Sequence, residues 1–375
     1  MRDLFWHKHP YDIAHTDDIF LQKTIENAVF QFDNCDEYRR LMLSRGFSRE
    51  KLSSLKSPAE LPFIPTLYFK HHKLLSVPEK KLMIKATSSG TSGNKSIIGF
   101  DFKSLWAGLG MVLTVGRKHR LLSPVPCHYI VLGYEFNKHA SMAVAKTAYG
   151  YTWFTPALSR TYALKYENRS YTLQLEHIKK QLIRLSRQKF PVRIIGFPFH
   201  AYWLLGQMKD EGIRLKLPKG SIIAFGGGWK QHFSEKVDKE TMYRLVEEVL
   251  GIPERNCREF FGAVEHPILY CDCPKHHFHV PIYSRVVIRD VDTFEPVPNG
   301  TPGLVNLITP MVQSTPLVSI MTDDLGILHD GCNCGCGIQT PFLEILGRVG
   351  MTDITTCAAG AENLMKTILE KEAEA

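Results

Sequence analysis

Between residues 81 and 260, short apolar runs alternate with stretches whose apolar residues recur at helical spacing, and this alternation constrains the fold most. The strand-like runs lie at 128–132, 192–195 and 221–225, and the helix-like stretches lie near 102–116, 139–149 and 171–188. Repeated strand, helix and strand segments build a parallel sheet, because each helix crosses back over the sheet to start the next strand. The sequence therefore predicts an α/β architecture with a largely parallel sheet.

The segments on either side of this alternation have different patterns. Residues 17–46 carry apolar residues at helical spacing, whereas residues 270–346 carry short β-rich pieces separated by Pro and Gly turns. A strand-like run at 81–86 opens the central part. We therefore expect four consecutive regions: a helical N-terminal region (1–80), an α/β core (81–269), a β-rich subdomain (270–346) and a hinge with a short C-terminal tail (347–375).

Charge and hydropathy exclude several classes of protein. The 375 residues carry 46 Lys and Arg against 38 Asp and Glu, and the resulting charge of +8 is scattered without a nucleic-acid recognition motif. The longest apolar runs are far shorter than the roughly 20 residues of a membrane-spanning helix, and the N-terminus has no signal-peptide pattern. We expect a cytoplasmic protein with no nucleic-acid partner and no membrane span, whose positive charge suits an anionic small substrate.

The segment 87–96 is rich in hydroxyl groups and glycine. It combines hydroxyl donors, backbone N–H groups freed by glycine and one ammonium group, which is the chemistry that phosphate oxygens require. The residues are Ser88, Ser89, Gly90, Thr91, Ser92, Gly93 and Lys95. A kinase-type G-x-x-x-x-G-K-[ST] loop is disfavoured because Lys95 does not directly follow a glycine. We interpret the segment as a phosphate-binding loop, and a flexible Ser/Gly linker is the alternative.

Five of the nine cysteines crowd into two short clusters, the first of which also contains three histidines. The clusters are Cys271, Cys273, His276, His277 and His279, followed by Cys332, Cys334 and Cys336. Thiolates and imidazoles are the ligands of structural zinc, and a β-rich subdomain can bring two such loops together. The sequence predicts a structural Zn²⁺ site here; free thiols in loops and a catalytic zinc are the alternatives.

Four motifs, in order, resemble those of the adenylate-forming superfamily of acyl ligases. Residues 89–93 resemble its phosphate loop, Phe-Phe-Gly-Ala-Val-Glu at 260–265 its aromatic-Gly-x-Thr-Glu motif, Thr-Asp-Asp-Leu-Gly at 322–326 its Thr-Gly-Asp-Leu-Gly motif, and Gly-Arg at 347–348 its hinge. The resemblance implies the superfamily's α/β N-terminal domain with mainly parallel sheets and a β-rich subdomain, with a truncated C-terminal region.

The same resemblance implies roles for individual residues. The phosphate loop with Lys95 would stabilise the phosphates of ATP, and Glu265 would help to hold Mg²⁺. Asp324 would accept hydrogen bonds from the ribose hydroxyls, with Arg348 near ribose and phosphate. The residues implied to contact adenine are Gly226, Gly227, Gly228, Phe261 and Gly262. Val264 replaces the usual Thr of the motif and removes a hydroxyl. An exposed turn carboxylate is the alternative for both Glu265 and Asp324.

Only residues 349–375 follow Arg348, and we expect this tail to be too short for the superfamily's mobile C-terminal domain. Cys357 lies in it among small residues, which leave a thiol approachable for acyl transfer. This arrangement resembles the acyl-protein synthetase family of the bacterial bioluminescence fatty-acid reductase complex, whose members end soon after a thioester-forming cysteine. A small buried side chain is the alternative for Cys357, and Lys366 or Lys371 could approach the adenylate instead.

Members of the superfamily similar to phenylacetate-CoA ligases carry a Cys and His followed by a Cys-x-Cys-Gly segment. Mapping that pattern implies Cys273, His279, Cys332 and Cys334 as metal ligands. The doubled Cys-x-Cys spacing leaves the register open, so Cys271, His276 and Cys336 remain further candidates.

We therefore predict an ATP- and Mg²⁺-dependent enzyme that activates a long-chain fatty acid, transfers the acyl group to Cys357 and presents it to a reductase subunit. An acyl-CoA ligase of the phenylacetate type and a non-catalytic zinc-containing partner that has kept a nucleotide pocket are the alternatives. The apolar stretch 196–203 suits either an acyl pocket or the start of a core helix.

Overall fold

A computed structural model describes residues 3–87, 97–137, 143–167, 170–228 and 237–348. Its α-helices are α1 (Asp17–Asn34), α2 (Asp36–Ser44), α3 (Arg49–Ser53), α4 (Tyr68–His71), α5 (Phe102–Lys118), α6 (Ala143–Tyr151), α7 (Leu175–Leu185), α8 (Pro198–Asp210) and α9 (Lys239–Leu250). Its strands are β1 (Ile64–Pro65), β2 (Leu82–Thr87), β3 (Ile97–Asp101), β4 (Cys127–Tyr134), β5 (Ala157–Glu167), β6 (Ser170–Leu173), β7 (Val192–Gly196), β8 (Ile222–Gly226), β9 (Cys257–Ala263), β10 (His266–Cys271), β11 (Phe278–His279), β12 (Arg285–Arg289), β13 (Pro302–Ile308), β14 (Ser319–His329) and β15 (Phe342–Arg348).

The chain divides into two compact units. Gly116–Phe261 forms one unit, and the described residues before and after it form the other. We call Gly116–Phe261 the inserted unit and the rest of the described chain the outer unit. The predicted division into four consecutive regions stays a prediction.

A parallel sheet is the centre of the inserted unit. Its strands follow the order β9-β8-β7-β4-β5-β6, and all neighbours are parallel except β5 and β6, which form an antiparallel ribbon. The predicted strands at 128–132, 192–195 and 221–225 are its central strands β4, β7 and β8. The predicted α/β class with a largely parallel sheet is therefore confirmed.

Alternate side chains of the central strands enter different cores. Ile130 and Leu132 of β4 belong to a large cluster that includes apolar residues of α7, α8 and α9. Tyr129 and Val131 belong to a smaller cluster with Tyr151 at the end of α6. Because successive strand residues point to opposite faces, these two clusters mean that the sheet is covered on both faces.

An antiparallel sheet dominates the outer unit. Its strands follow the order β11-β15-β14-β13-β12, and β1 pairs in parallel with the start of β14. Strands β14 and β15 pair so that Asp324 lies opposite Arg348 and His329 lies opposite Phe342. The chain between these two strands contains a short 3-10 helix at Gly331–Cys334. This hairpin carries two polar groups of the candidate site.

A second hairpin of the outer unit flanks the predicted phosphate loop. Strands β2 and β3 pair antiparallel, and residues 88–96 connect them. The hydroxyl of Ser314 donates to the carbonyl of Gly99 at 2.7 Å, and the N–H of Gly99 donates to Oγ1 of Thr315 at 3.2 Å. These bonds fix β3 to the segment before β14. The sequence indicated the strand before the loop but missed β3, because this short strand depends on its pairing with β2.

Helix α1 holds that same segment through buried amides. Nδ2 of Asn27 donates to the carbonyls of Pro310 and Val312 at 3.0 and 2.9 Å. Gln31 adds a bond to Val312 at 3.1 Å. These bonds satisfy buried carbonyl groups. Helix α1 therefore holds the segment before β14 in place, and this segment in turn binds β3. None of the described helices is both long and apolar enough to cross a bilayer.

Candidate functional site

Four side chains of the outer unit form a compact Cys/His cluster, defined as Cys273, His279, Cys334 and Cys336. Their sulfur and nitrogen atoms all lie within 4.8 Å of one another. Sγ of Cys273 is 3.5 Å from Sγ of Cys334, and Sγ of Cys336 is 3.2 Å from Nε2 of His279. Three sulfurs and one imidazole nitrogen at these distances could hold a metal ion.

Local hydrogen bonds orient the cluster. Nδ1 of His279 lies 2.6 Å from the carbonyl oxygen of Thr340, which can only accept, so the ring proton is on Nδ1 and the Nε2 lone pair points at the sulfurs. The backbone N–H groups of Lys275 and Ile338 donate to the sulfurs of Cys273 and Cys336. The arrangement stabilises negative charge on the sulfurs before any ion binds.

Burial opposes that charge in the absence of a cation. It raises the pKa of the Cys273 thiol and raises the pKa of Cys334 to about 12. It also lowers the pKa of His279, which favours the neutral imidazole. Deprotonated sulfurs here therefore require a bound cation, and metal binding would release thiol protons.

The remaining cysteines and histidines of the two sequence clusters have other surroundings. Cys332 is exposed and its thiol lies 3.7 Å from Oδ1 of Asn333, while the buried Cys271 thiol lies 3.7 Å from the carbonyl of Asp272. His276 pairs with Asp272 at 2.6 Å. Of the registers that the sequence left open, the structure assembles Cys334 with Cys336 rather than Cys332 with Cys334.

The sequence analysis gave no role to His277, whose Nδ1 lies 3.1 Å from Sγ of Cys334. Its ring stacks on Phe342 with centroids 4.3 Å apart. The position of His277 between Cys273 and His279 could have predicted that it lies beside any metal those residues bind.

Asp324 and Arg348 form an ion pair at the other end of the β14–β15 hairpin. Nε of Arg348 donates to Oδ1 of Asp324 at 2.8 Å. The side chain of Asp324 is 9% exposed and that of Arg348 is 58% exposed. Burial raises the pKa of Asp324, and Arg348 counteracts this. The buried carboxylate can accept hydrogen bonds from a ligand's hydroxyl groups, and the half-exposed guanidinium can donate to an anionic group.

Glu265 contributes to the same electrostatic environment. It is 6% exposed, so it is not the exposed turn carboxylate that was the alternative. The pKa of Arg348 is raised well above its usual range, chiefly by Asp324 and further by Asp323 and Glu265. Two buried acidic side chains therefore act on one cation in the outer unit.

The predicted adenine-contacting segments of the inserted unit lie at the carboxyl ends of parallel strands. Gly226 ends β8 and pairs with Phe260 of β9. Gly227 and Gly228 have φ angles of 80° and 61°, a left-handed conformation that glycine adopts without strain. Carboxyl ends of parallel strands are the usual ligand-binding edge of such sheets. Phe261 is half-buried, and Gly262, the first residue of the outer unit's second segment, is exposed.

Several predicted site residues lie outside the described residues. They are Ser88, Ser89, Gly90, Thr91, Ser92, Gly93, Lys95 and Cys357. Their roles stay predictions. The apolar stretch 196–203 is described: Phe197 and Phe199 are buried in the core at the start of α8.

The fold is that of the adenylate-forming ligases. The 2-hydroxyisobutyryl-CoA ligase in complex with 2-HIB-AMP superposes with a TM-score of 0.68 at 16% identity, over 91% of this chain and 70% of that one. The family model described as acyl-protein synthetase, LuxE, matches residues 1–365. The chain therefore belongs to the LuxE acyl-protein synthetase family and is a ligase.

Named relatives agree with this membership. The long-chain-fatty-acid–luciferin-component ligase of Aliivibrio fischeri is 27% identical over 354 residues, covering 91% of this chain and 87% of that protein. The Vibrio harveyi protein of the same name is 25% identical, covering 88% of this chain and 83% of that protein. The phenylacetate-coenzyme A ligase of Thermus thermophilus is 22% identical, covering 86% of this chain and 67% of that enzyme.

Proposed function

We propose that this chain uses ATP to convert a long-chain fatty acid to an acyl-adenylate and then transfers the acyl group to its own Cys357 as a thioester. The thioester would be delivered to an acyl reductase subunit. The family membership and the two relatives named for ligation of long-chain fatty acids support both acyl activation and the substrate class.

The observation that carries the proposal is the ion pair of Asp324 and Arg348 beside the buried Glu265. The pair lies in the motif order of an adenylate-forming ligase and offers a carboxylate to ribose hydroxyls and a cation to phosphate. Glu265 is buried and acts electrostatically on Arg348. Its place in the resembled aromatic-Gly-x-Thr-Glu motif supports a role beside Mg²⁺.

In the first step, a carboxylate oxygen of the fatty acid would attack the α-phosphorus of ATP. The bond from that phosphorus to the bridging oxygen breaks, and pyrophosphate leaves. The N–H and hydroxyl groups of residues 88–93, with the ammonium group of Lys95, would stabilise the charge on the phosphates. Mg²⁺ held in part by Glu265 would neutralise phosphate charge.

In the second step, the Cys357 thiolate would attack the acyl carbon of the adenylate. The bond between that carbon and the phosphate oxygen breaks, AMP leaves, and the thiol proton passes to solvent. Coenzyme A is the rival acceptor, favoured by the relatives named phenylacetate-coenzyme A ligase.

We also propose that the Cys/His cluster binds Zn²⁺ in a structural role. Zinc bonds of about 2.0–2.3 Å place tetrahedral ligand atoms about 3.3–3.8 Å apart, close to the 3.2 and 3.5 Å distances between the paired atoms. Four protein ligands leave no open coordination position, so the ion would stabilise the loops before β11 and β15 rather than act on substrate.

The test is covalent labelling of the full chain with a radiolabelled long-chain acid, ATP and Mg²⁺. We expect label that survives denaturation and is released by neutral hydroxylamine, as a thioester is. Cys357→Ser should lose the label and retain acid-dependent ATP–pyrophosphate exchange. Cys332→Ser is the matched control, because it replaces a different cysteine, exposed and outside the Cys/His cluster, in the same way; it should be labelled normally.

Other results would contradict parts of the proposal. Exchange without label, together with acyl-CoA formation when coenzyme A is added, would replace Cys357 by coenzyme A as acceptor. Label that persists in Cys357→Ser would place the acyl group on another residue. Neither exchange nor label with any long-chain acid would favour a non-catalytic nucleotide-binding partner.

A further inference from the structure

Of the five segments that lead into the parallel strands of the inserted unit, three are basic, a fourth carries no Lys, Arg, Asp or Glu, and the fifth, 251–256 before β9, carries one acidic and one basic residue, Glu254 and Arg255. The segments 117–126, 152–156, 186–191 and 216–221 precede β4, β5, β7 and β8. Together they contain seven Lys or Arg residues and no Asp or Glu. The seven cations are Arg117, Lys118, Arg120, Arg187, Lys189, Lys216 and Lys219. We call this set of segments the amino-edge surface.

Hydrogen bonds join these segments at one edge of the sheet. The amino ends of parallel strands meet at the same edge, and the flanking backbone bonds confirm it. The bonds run from the N–H of Ser123 to the carbonyl of Phe154 (3.3 Å), from the N–H of His128 to the carbonyl of Pro191 (2.9 Å), and from the N–H of Val192 to the hydroxyl of Ser221 (2.9 Å). The amino-edge surface is therefore continuous across four strands.

Large apolar side chains protrude from the same edge. Val125, Trp153 and Phe190 are 49%, 70% and 42% exposed, and each lies in a different segment of the amino-edge surface. Leu158, at the start of β5, is 48% exposed. Single exposed apolar residues are ordinary on a protein surface, whereas several on adjoining loops mark an interaction site.

The four segments of this surface contain no acidic residue that could pair with their cations. All seven are exposed, and no ion pair within the described ranges involves any of them. Nearby Lys209 and Arg214, by contrast, both pair with Glu248. The positive charge of the loops is therefore available to a partner.

Interaction with a helix dipole explains the position of only some of these cations. Arg117 and Lys118 lie in the last turn of α5, where a cation offsets the negative end of the helix dipole. That effect falls off beyond the last turn. Lys189 and Lys219 lie outside α7 and α8, so it does not explain them.

We propose that the amino-edge surface binds the face of an anionic lipid bilayer. Its lysines and arginines would contact the headgroups, while Trp153, Phe190 and Val125 enter the interfacial region, where aromatic rings are favoured. The aliphatic Val125 and Leu158 offer no stacking face to a base, which favours lipid over nucleic acid. Binding at this surface is peripheral and does not depend on the proposed adenylation.

The test is co-sedimentation of the full chain with vesicles of phosphatidylcholine and phosphatidylglycerol in equal amounts, against vesicles of phosphatidylcholine alone. We expect binding to the anionic vesicles that weakens with salt. Each cation near such a surface contributes about fivefold, so the double variant Lys189→Gln, Lys219→Gln should lose on the order of 20-fold in partition. Lys56→Gln, Lys80→Gln is the matched control; it removes the same charge from exposed positions of the outer unit and should bind within about twofold of wild type.

The apolar contribution has its own pair of variants. Trp153→Ala should weaken binding at high salt, where charge is screened, and Phe102→Ala should not, although Phe102 is 67% exposed in the outer unit. Three results would overturn the proposal: no binding to anionic vesicles, equal loss in both lysine double variants, or tighter binding to a single-stranded oligonucleotide than to vesicles at equal phosphate concentration.

Discussion

The β14–β15 hairpin carries a polar group at each end, and the two groups differ in how their charge is compensated. At one end, the Cys/His cluster brings three thiols and an imidazole together with no opposite charge among them. At the other end, roughly 17 Å along the strands, Asp324 is neutralised directly by Arg348. Ionised thiols in the cluster need a cation from outside the chain, whereas the carboxylate of Asp324 has its cation in Arg348.

The difference separates stability from binding. Buried thiols whose pKa is raised stay protonated unless a cation binds, so the proposed metal ion would link the cluster to the stability of the fold. The Asp324–Arg348 pair is compensated without a ligand, and Arg348 remains half-exposed. Changes in the cluster should therefore alter stability most, whereas changes in the ion pair should alter nucleotide binding most.

The largest effect is expected from Cys334→Ser. This variant should not bind the proposed zinc ion, and its melting temperature should fall by about 10 °C or more. Cys332→Ser should retain zinc and melt within about 2 °C of wild type, because Cys332 is exposed and outside the cluster. Metal analysis and calorimetry measure both. Equal zinc loss in the two variants would mean that the ligand register is wrong.

The second effect concerns the ion pair. Asp324→Asn should raise the KM for ATP in pyrophosphate exchange by about 10- to 100-fold, since hydrogen bonds to a charged group contribute about 1.5–3 kcal/mol. Asp323→Asn is the control, because its carboxylate is half-exposed and 3.9 Å from Arg348. It should change the KM by less than about threefold. A large loss of zinc or of melting temperature in Asp324→Asn, with an unchanged KM, would contradict the separation of roles.

A smaller effect should distinguish the two histidines of the cluster region. His279→Ala should remove a zinc ligand and abolish tight binding. His277→Ala should weaken zinc affinity by about 10-fold, as expected for a contact beside the metal rather than a ligand. Competition with a chelator measures both affinities. The reverse order would make His277 the ligand.

The smallest effect is expected at Glu79, an exposed carboxylate that forms ion pairs with two lysines. Hydrogen bonds from Lys73 and Lys85 lower the pKa of Glu79 from its usual 4.5 to about 2. The folded state therefore prefers ionised Glu79, and the resulting stability is present above pH 4.5 and lost as the pH falls towards 2. Glu79→Gln should melt slightly below wild type at pH 7, and the gap should close across that interval. A gap that widens with acid would have the wrong sign.

The sequence predicted the central elements of the fold because their pattern is local. Strands β4, β7 and β8 are continuous apolar runs, and α5 has a clear helical period. Strand β3 and the β5–β6 ribbon escaped prediction, because pairing with distant residues stabilises them. The family could be recognised because its motifs occur in order along the chain.

The candidate site was predictable in composition but not in detail. Cys271, Cys273, Cys332, Cys334 and Cys336 repeat the same spacing, so no local signal selects among them. The fold places three of them, Cys273, Cys334 and Cys336, beside His279. Asp324 and Arg348 were each expected near a nucleotide, but their contact follows from the register of β14 and β15, which the sequence does not specify.

The central claim is that this chain activates a carboxylic acid with ATP. Its most direct measurement is ATP–pyrophosphate exchange by the purified full chain with Mg²⁺, across a series of fatty acids of increasing length. We predict exchange that requires the acid, rises with chain length and falls in Asp324→Asn. Exchange that is absent with every acid, or that proceeds equally without acid, would contradict the account.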